Sequence, residues 1–132
     1  MNAHYDELKG QVIIITGGGS GMGRDVALSL ARVGARLVIG NRREDSGQAV
    51  LEEIRALGGE AVFRQTDVSK AADCQALVKL AMDTYGRVDG AFNNAGLQRP
   101  FNDADSIPDE NIDGVIDINL KGILFMMKYE TA

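Results

Sequence analysis

Val12-Ile13-Ile14-Ile15-Thr16-Gly17-Gly18-Gly19-Ser20-Gly21-Met22-Gly23 is the stretch that decides the fold. Its first five residues form a β-branched run without a polar break until Thr16, the pattern of a strand buried on both faces. Five glycines then fall within seven residues, and no strand continues through such a cluster. Beyond it, Val26, Leu30 and Val33 recur at helical spacing, which predicts a helix over residues 24–33 with Gly34 as its C′ stop.

The same alternation continues outward. Residues 37–39 read as a second strand ending at Gly40. Val50, Ile54 and Leu57 predict a helix over 44–57, stopped by Gly58-Gly59. Residues 61–65 read as a third strand. Ser69 is the expected N-cap of a helix that buries Cys74, Leu77, Val78 and Ala81 and stops at Gly86. Residues 88–92 read as a fourth strand. A polar loop over 99–106 leads to Pro108-Asp109-Glu110, a proline- and acid-rich first turn. The helical segment that follows runs to Ala132, with a bend expected near Gly114 or Gly122. The order β-α-β-α-β-α-β-α, with connections too long for hairpins, implies parallel strands, right-handed crossovers and helices on both faces. The fold class is α/β, a Rossmann-type doubly wound parallel sheet, in one domain over residues 1–132.

Composition narrows the function. Of 132 residues, 45% are hydrophobic and 25% charged, a globular balance. Fourteen Lys+Arg against nineteen Asp+Glu give a net charge of −5, and with no basic block this argues against nucleic acid or an anionic membrane as partner. Runs such as residues 12–15 are far too short to span a bilayer. Residues 1–7 lack the basic and apolar regions of a secretory signal. Cys74 is the single cysteine, so no internal disulfide forms and a reducing cytoplasm is the expected setting. No metal site is expected.

The glycine turn is not a P-loop. Residues 18–23 have its glycine spacing, but Arg24 and Asp25 stand where Lys and Ser/Thr must be. Nor is it G-x-G-x-x-G, because Met22 or Arg24 would occupy the third glycine position. What fits is T-G-x-x-x-G-x-G from Thr16 to Gly23, set between strand and helix. Glycines there permit a tight turn, close approach of backbone to a pyrophosphate, and close packing of helix on strand. The helix N-terminus adds free N–H groups and partial positive charge toward an anion.

With this motif in view, the sequence resembles the short-chain dehydrogenases/reductases of the single-domain type. The resemblance extends to Asp67-Val68 after the third strand and Asn93-Asn94-Ala95-Gly96 after the fourth. It continues through Asp117-Ile118-Asn119-Leu120-Lys121-Gly122, and covers the chain from about Leu8 onward. It implies strand order 3-2-1-4, with the chain ending before a fifth strand. It also implies a cofactor site formed by Gly17, Gly19, Ser20, Gly21, Met22 and Gly23 at the pyrophosphate. Asp67 and Val68 would lie at the adenine, and Asn93, Asn94, Ala95 and Gly96 beneath the ribose. Asn119 matches the family's active-site Asn, in a locally bent helix whose backbone holds a water of a proton relay.

After the second strand, NAD binding calls for an acid at the ribose 2′-OH, and NADP binding for Arg at a 2′-phosphate. Here stand Asn41, Arg42 and Arg43, so NAD or NADP are both carried, with a lean to NADP. A solvated pair of arginines ahead of a helix is the alternative. The family transfers hydride between nicotinamide and a carbonyl or alcohol carbon, using a Ser, a Tyr and a Lys four residues after it. Those positions follow the fifth strand and have no match here. Tyr5 to Lys9 has the Tyr-x-x-x-Lys spacing but precedes the first strand, and neither Tyr85 nor Tyr129 has the context.

The expectation is thus an oxidoreductase sequence truncated to its adenine-dinucleotide half, inactive alone, with a small carbonyl or alcohol substrate only at full length. The alternative is a non-catalytic nucleotide-binding or assembly module; a third possibility is a site completed by a second chain. The fourth strand, left as an open sheet edge, and the apolar run from Ile123 to Met127 predict a homo-oligomer.

Overall fold

The structure is a computed structural model that describes residues 5–132; part of the segment read for a signal sequence, residues 1–4, lies outside them. The elements in chain order are β1 (Val12–Thr16), α1 (Gly21–Arg32), β2 (Arg36–Asn41), α2 (Glu44–Ala56), β3 (Glu60–Gln65), α3 (Ala71–Tyr85) and β4 (Gly90–Asn93). After a long loop come α4 (Asp109–Val115), a π-helical turn (Ile116–Lys121) and α5 (Gly122–Glu130). All pairings are parallel and the sheet order is β3-β2-β1-β4. This is the Rossmann-type α/β fold expected.

Every residue of β1 is buried, and the reason is its place between two strands and two helical layers. Ile13 and Ile15, with Leu37 and Ile39 of β2, face α1 and α2. Val12 and Ile14, with Val38, face α3 and α5. Successive side chains of a strand alternate in direction, so a strand covered on both sides has no polar positions to spare.

Several boundaries differ from the sequence expectation. α1 starts at Gly21, three residues early, because glycines that look like turn are already in its first helical turn. Its buried stripe is Ala27, Leu28 and Ala31, with Val26 and Leu30 packed at the edge; small residues let α1 approach the sheet. Leu57 is the C-cap of α2 and is exposed, and Leu51 is buried instead. Ser69 does not cap α3: its N–H and hydroxyl both donate to Asp67 Oδ1, at 3.0 and 2.6 Å, and the helix begins after Lys70. β4 begins at Gly90, two residues late; just before it, Asp89 accepts the Val12 N–H on its side chain at 2.8 Å and donates its own amide to the Val12 carbonyl at 2.9 Å. The irregularity of the last helix falls between Gly114 and Gly122, as the π turn that carries Asn119.

Candidate functional site

Parallel strands place all their C-terminal ends at one edge, and there the structure has a cavity of about 430 Å³. β1 delivers Gly17 and Ser20 to its wall, β2 delivers Asn41, Arg42 and Arg43, and β3 delivers Thr66, Asp67 and Val68. The segment after β4 supplies Asn94, Ala95, Gly96 and Leu97, and the π turn supplies Ile118.

The glycine turn owes its shape to three positions. Gly17 and Gly21 have φ of +66° and +52°, backbone that side chains rarely adopt. A Cβ on Gly21 would meet nothing within 4 Å, so the turn faces open space there. On Gly23 a Cβ would lie 2.2 Å from the Gly17 carbonyl oxygen, which is how closely α1 crosses the end of β1. Ser20 does not cap α1 with its hydroxyl, and the helical bonding starts with Arg24 N–H to the Ser20 carbonyl at 3.2 Å. The amides of residues 21–23 therefore have no partner within the helix. Arg24, at the P-loop lysine position, turns away to make a two-point pair with Glu53 of α2.

Asn41 spends its whole amide on scaffolding. Its Oδ1 accepts from Gly19 N–H at 3.3 Å, and its Nδ2 donates to the Arg43 carbonyl and to Ser46 Oγ, at 2.8 and 2.9 Å. The glycine turn, β2 and the start of α2 are tied at that one side chain. The two arginines behave differently. Arg43 pairs with Asp45 at 3.0 Å, and this hydrogen bond, with that of the Ser46 amide, holds the Asp45 carboxyl below its usual range. Arg42 has no ion pair among the described residues, and only its carbonyl is engaged, by Gln65 Nε2 at 3.0 Å. Burial pushes the Asp67 carboxyl up, but the hydrogen bonds from Ser69 and the charges of Lys70 and Arg42 outweigh it and leave Asp67 lowered. The cavity thus holds a carboxylate on its β3 side and a free guanidinium on its β2 side.

The β4 side is fixed by hydrogen bonds across 77 to 79 residues of chain. Asn94 Nδ2 donates to the Thr16 and Gly17 carbonyls at 3.3 and 3.2 Å, and Ala95 N–H donates to Thr16 Oγ1 at 3.1 Å. Asn119 holds Leu97 from both sides: Leu97 N–H donates to its Oδ1 at 2.7 Å, and its Nδ2 donates to the Leu97 carbonyl at 2.8 Å. Asn119 therefore stands behind the wall and braces it.

Of the residues singled out in the sequence, Gly17, Ser20, Asn41, Arg42, Asp67, Val68, Asn94, Ala95 and Gly96 meet at the cavity. Gly19, Gly21, Met22 and Gly23 form the turn beside it, with Met22 exposed. Asn93 points elsewhere, to Glu130 of α5. Thr16 was quoted as the start of the motif without a role of its own, and Ser46 and Leu97 were missed. Thr16 ends the quoted apolar run and carried a signal, a buried hydroxyl at a strand end; Ser46 and Leu97 had none, since tertiary packing alone brings them in. Tyr5 and Lys9 lie at the opposite, N-terminal end of β1, where Lys9 packs on Gly34. Tyr85 sits beneath Arg36 at the start of β2, 5.9 Å from it. No tyrosine lines the cavity. Among the described residues no cluster of three or more His, Cys, Asp or Glu could hold a metal, and no helix is long and apolar enough to cross a membrane.

A family model described as short chain dehydrogenase matches residues 11–131. The chain belongs to the short-chain dehydrogenases. Among curated members, an uncharacterised oxidoreductase of Listeria monocytogenes is 44% identical over 117 residues, covering 89% of this chain and 47% of that protein. A cyclohexanol dehydrogenase of Acinetobacter is 36% identical, over 95% of this chain and 50% of the relative. A short-chain dehydrogenase/reductase structure from Burkholderia phymatum, in complex with NAD, superposes with a TM-score of 0.90 at 33% identity, over 95% of this chain and 44% of the other. A 3-ketoacyl-(acyl-carrier-protein) reductase from Brucella melitensis, complexed with NADH, gives 0.86 at 35% identity, over 92% and 49%. This short-chain dehydrogenase sequence spans about half the length of the curated relatives it matches.

Proposed function

We propose that the cavity binds the adenosine and pyrophosphate of a nicotinamide dinucleotide, with NADP preferred, as the cofactor half of an oxidoreductase acting on carbonyl or alcohol carbons. The amides of residues 21–23 and the open space over Gly21 suit the pyrophosphate. Asp67, Val68 and the 94–96 segment suit adenine and ribose. When bound, the nicotinamide supplies or accepts the hydride. The protein's own part is to hold the dinucleotide, through backbone amides at the glycine turn and a wall braced by Thr16 and Asn119.

The preference rests on one observation: the end of β2 offers an unpaired Arg42 and an Asn41 amide already committed, and no carboxylate. A 2′-phosphate at the end of β2 would meet a guanidinium, with the cavity's carboxylate, Asp67, on the β3 side. Both NAD- and NADH-bound neighbours are consistent with the dinucleotide class. Calorimetry on Arg42→Ala tests the preference. Loss of a charge-assisted contact of roughly 1.5–3 kcal/mol should weaken NADPH about 10- to 150-fold with little change for NADH. Equal loss for both cofactors would make Arg42 a mere surface charge.

A further inference from the structure

Asn93 ends β4 with its side chain on the face covered by α5, and there it meets Glu130, the last residue of that helix. Asn93 Nδ2 donates to Glu130 Oε2 at 3.0 Å. The remaining oxygen on each side chain, Asn93 Oδ1 and Glu130 Oε1, is shut off from solvent and has no hydrogen-bond partner; among the described residues no other side-chain atom is in that state. An ionised carboxylate only accepts, and so does an amide oxygen. As an anion, Glu130 would therefore leave two buried acceptors orphaned on one contact, each with its desolvation cost.

A single proton removes both orphans. A carboxylic acid donates through one oxygen and accepts through the other, and the Asn amide offers the complement. We propose that Glu130 is carried as the neutral acid and closes a reciprocal hydrogen-bonded ring with Asn93, so that docking of the end of α5 on β4 depends on one proton.

The surroundings favour the neutral form. β4 brings no polar side chain to the contact but Asn93. From α3 the facing titratable group is Cys74, whose thiol is pushed up to about 11, by burial first and then by the charges of Asp73, Asp67 and Glu130. On α5 itself, Lys128 lies over the Tyr129 ring at 5.3 Å. No cation is ion-paired with Glu130 among the described residues. Burial pushes its carboxyl up, and the Asn93 amide offsets this only in part.

Carboxyl-carbon NMR of the 132-residue chain, with the Glu130 signal assigned by its absence in Glu130→Gln, reads the proton directly. The expected titration midpoint lies above the value near 4.3 of glutamate in a peptide. A midpoint at or below that value overturns the proposal, and would mean that water or a cation fills the gap between the oxygens. Melting curves between about pH 4 and 8 give a second readout. A carboxyl raised in the folded state contributes stability that is complete below the unfolded value and lost as pH rises through the folded one. Glu130→Gln keeps both hydrogen bonds without the proton, so its melting temperature should lack that fall. Identical curves for the two proteins overturn the proposal; if Glu130→Gln does not fold, Glu130→Asp serves for the assignment and the wild-type titration decides it.

Discussion

At the scale of single residues, Gly21 and Gly23 serve different ends, and substitution separates them. Gly21 sits at φ +52° with free space where a side chain would go. Gly21→Val should cost about 1–2 kcal/mol in backbone strain and abolish dinucleotide binding by filling the space over the turn. Gly23→Ala sets a Cβ against the Gly17 carbonyl oxygen, so α1 must move off the sheet; such overpacking costs typically 1–3 kcal/mol. Thermal melting with calorimetry checks both. The expected pattern is a folded Gly21→Val without affinity, and a Gly23→Ala that loses stability and affinity together. Unchanged NADPH affinity in Gly21→Val would remove the pyrophosphate from this turn.

Among elements, the junction of β1 and β4 is held at its start by one carboxylate. Asp89 accepts the Val12 N–H at 2.8 Å and hydrogen bonds from Arg87, and the Arg87 bond, then that of Val12, holds its carboxyl below the usual range. A lowered carboxyl contributes stability that is present above its unfolded value, near 3.9, and lost as pH falls through the folded one. Asp89→Asn should therefore lower the melting temperature at neutral pH and flatten the acid limb of the pH–stability curve; an acid limb like the wild type's would show that the contact carries no pH dependence. The order and type of the elements were legible because periodicity and glycine stops are local signals. The starts of α1 and α3 were not: glycines read as turn until their first helical bonds are seen, and Ser69 serves the Asp67 turn instead of the helix. The cavity wall was legible where a strand ends in a polar residue, as at Asp67 and Asn94. The scaffolding done by Asn41 and Asn119 was not, since a sequence does not show which amide has already been used.

Over the whole molecule, apolar surface lies along the outer side of the last helical segment. Ile112, Ile116, Leu120 and Leu124 follow each other at four-residue steps and are each about half exposed, with Met127 beyond them. β4 lies at the sheet edge, and Ala91 in it is exposed. An apolar stripe and an open sheet edge each favour association. Sedimentation of the 132-residue chain at micromolar concentration should show species larger than a monomer; a monodisperse monomer with a cooperative melt would contradict this. Turnover is a second property of the whole. With no tyrosine in the cavity wall, the chain by itself is expected to oxidise no NADPH with any carbonyl. Activity that survived Tyr5→Phe, Tyr85→Phe and Tyr129→Phe combined would require a different proton donor.

The sheet order has a consequence in time. β1 leaves the ribosome before the other strands, yet it lies between β2 and β4, and the bonds that join it to β4 and the following segment span 77 to 79 residues. Its edge toward β4 waits until the chain has been made as far as Asn93. Nascent chains shorter than that carry a β-branched strand with one edge unpaired, the kind of surface that holding chaperones bind. Here the strand made first is the last to be enclosed.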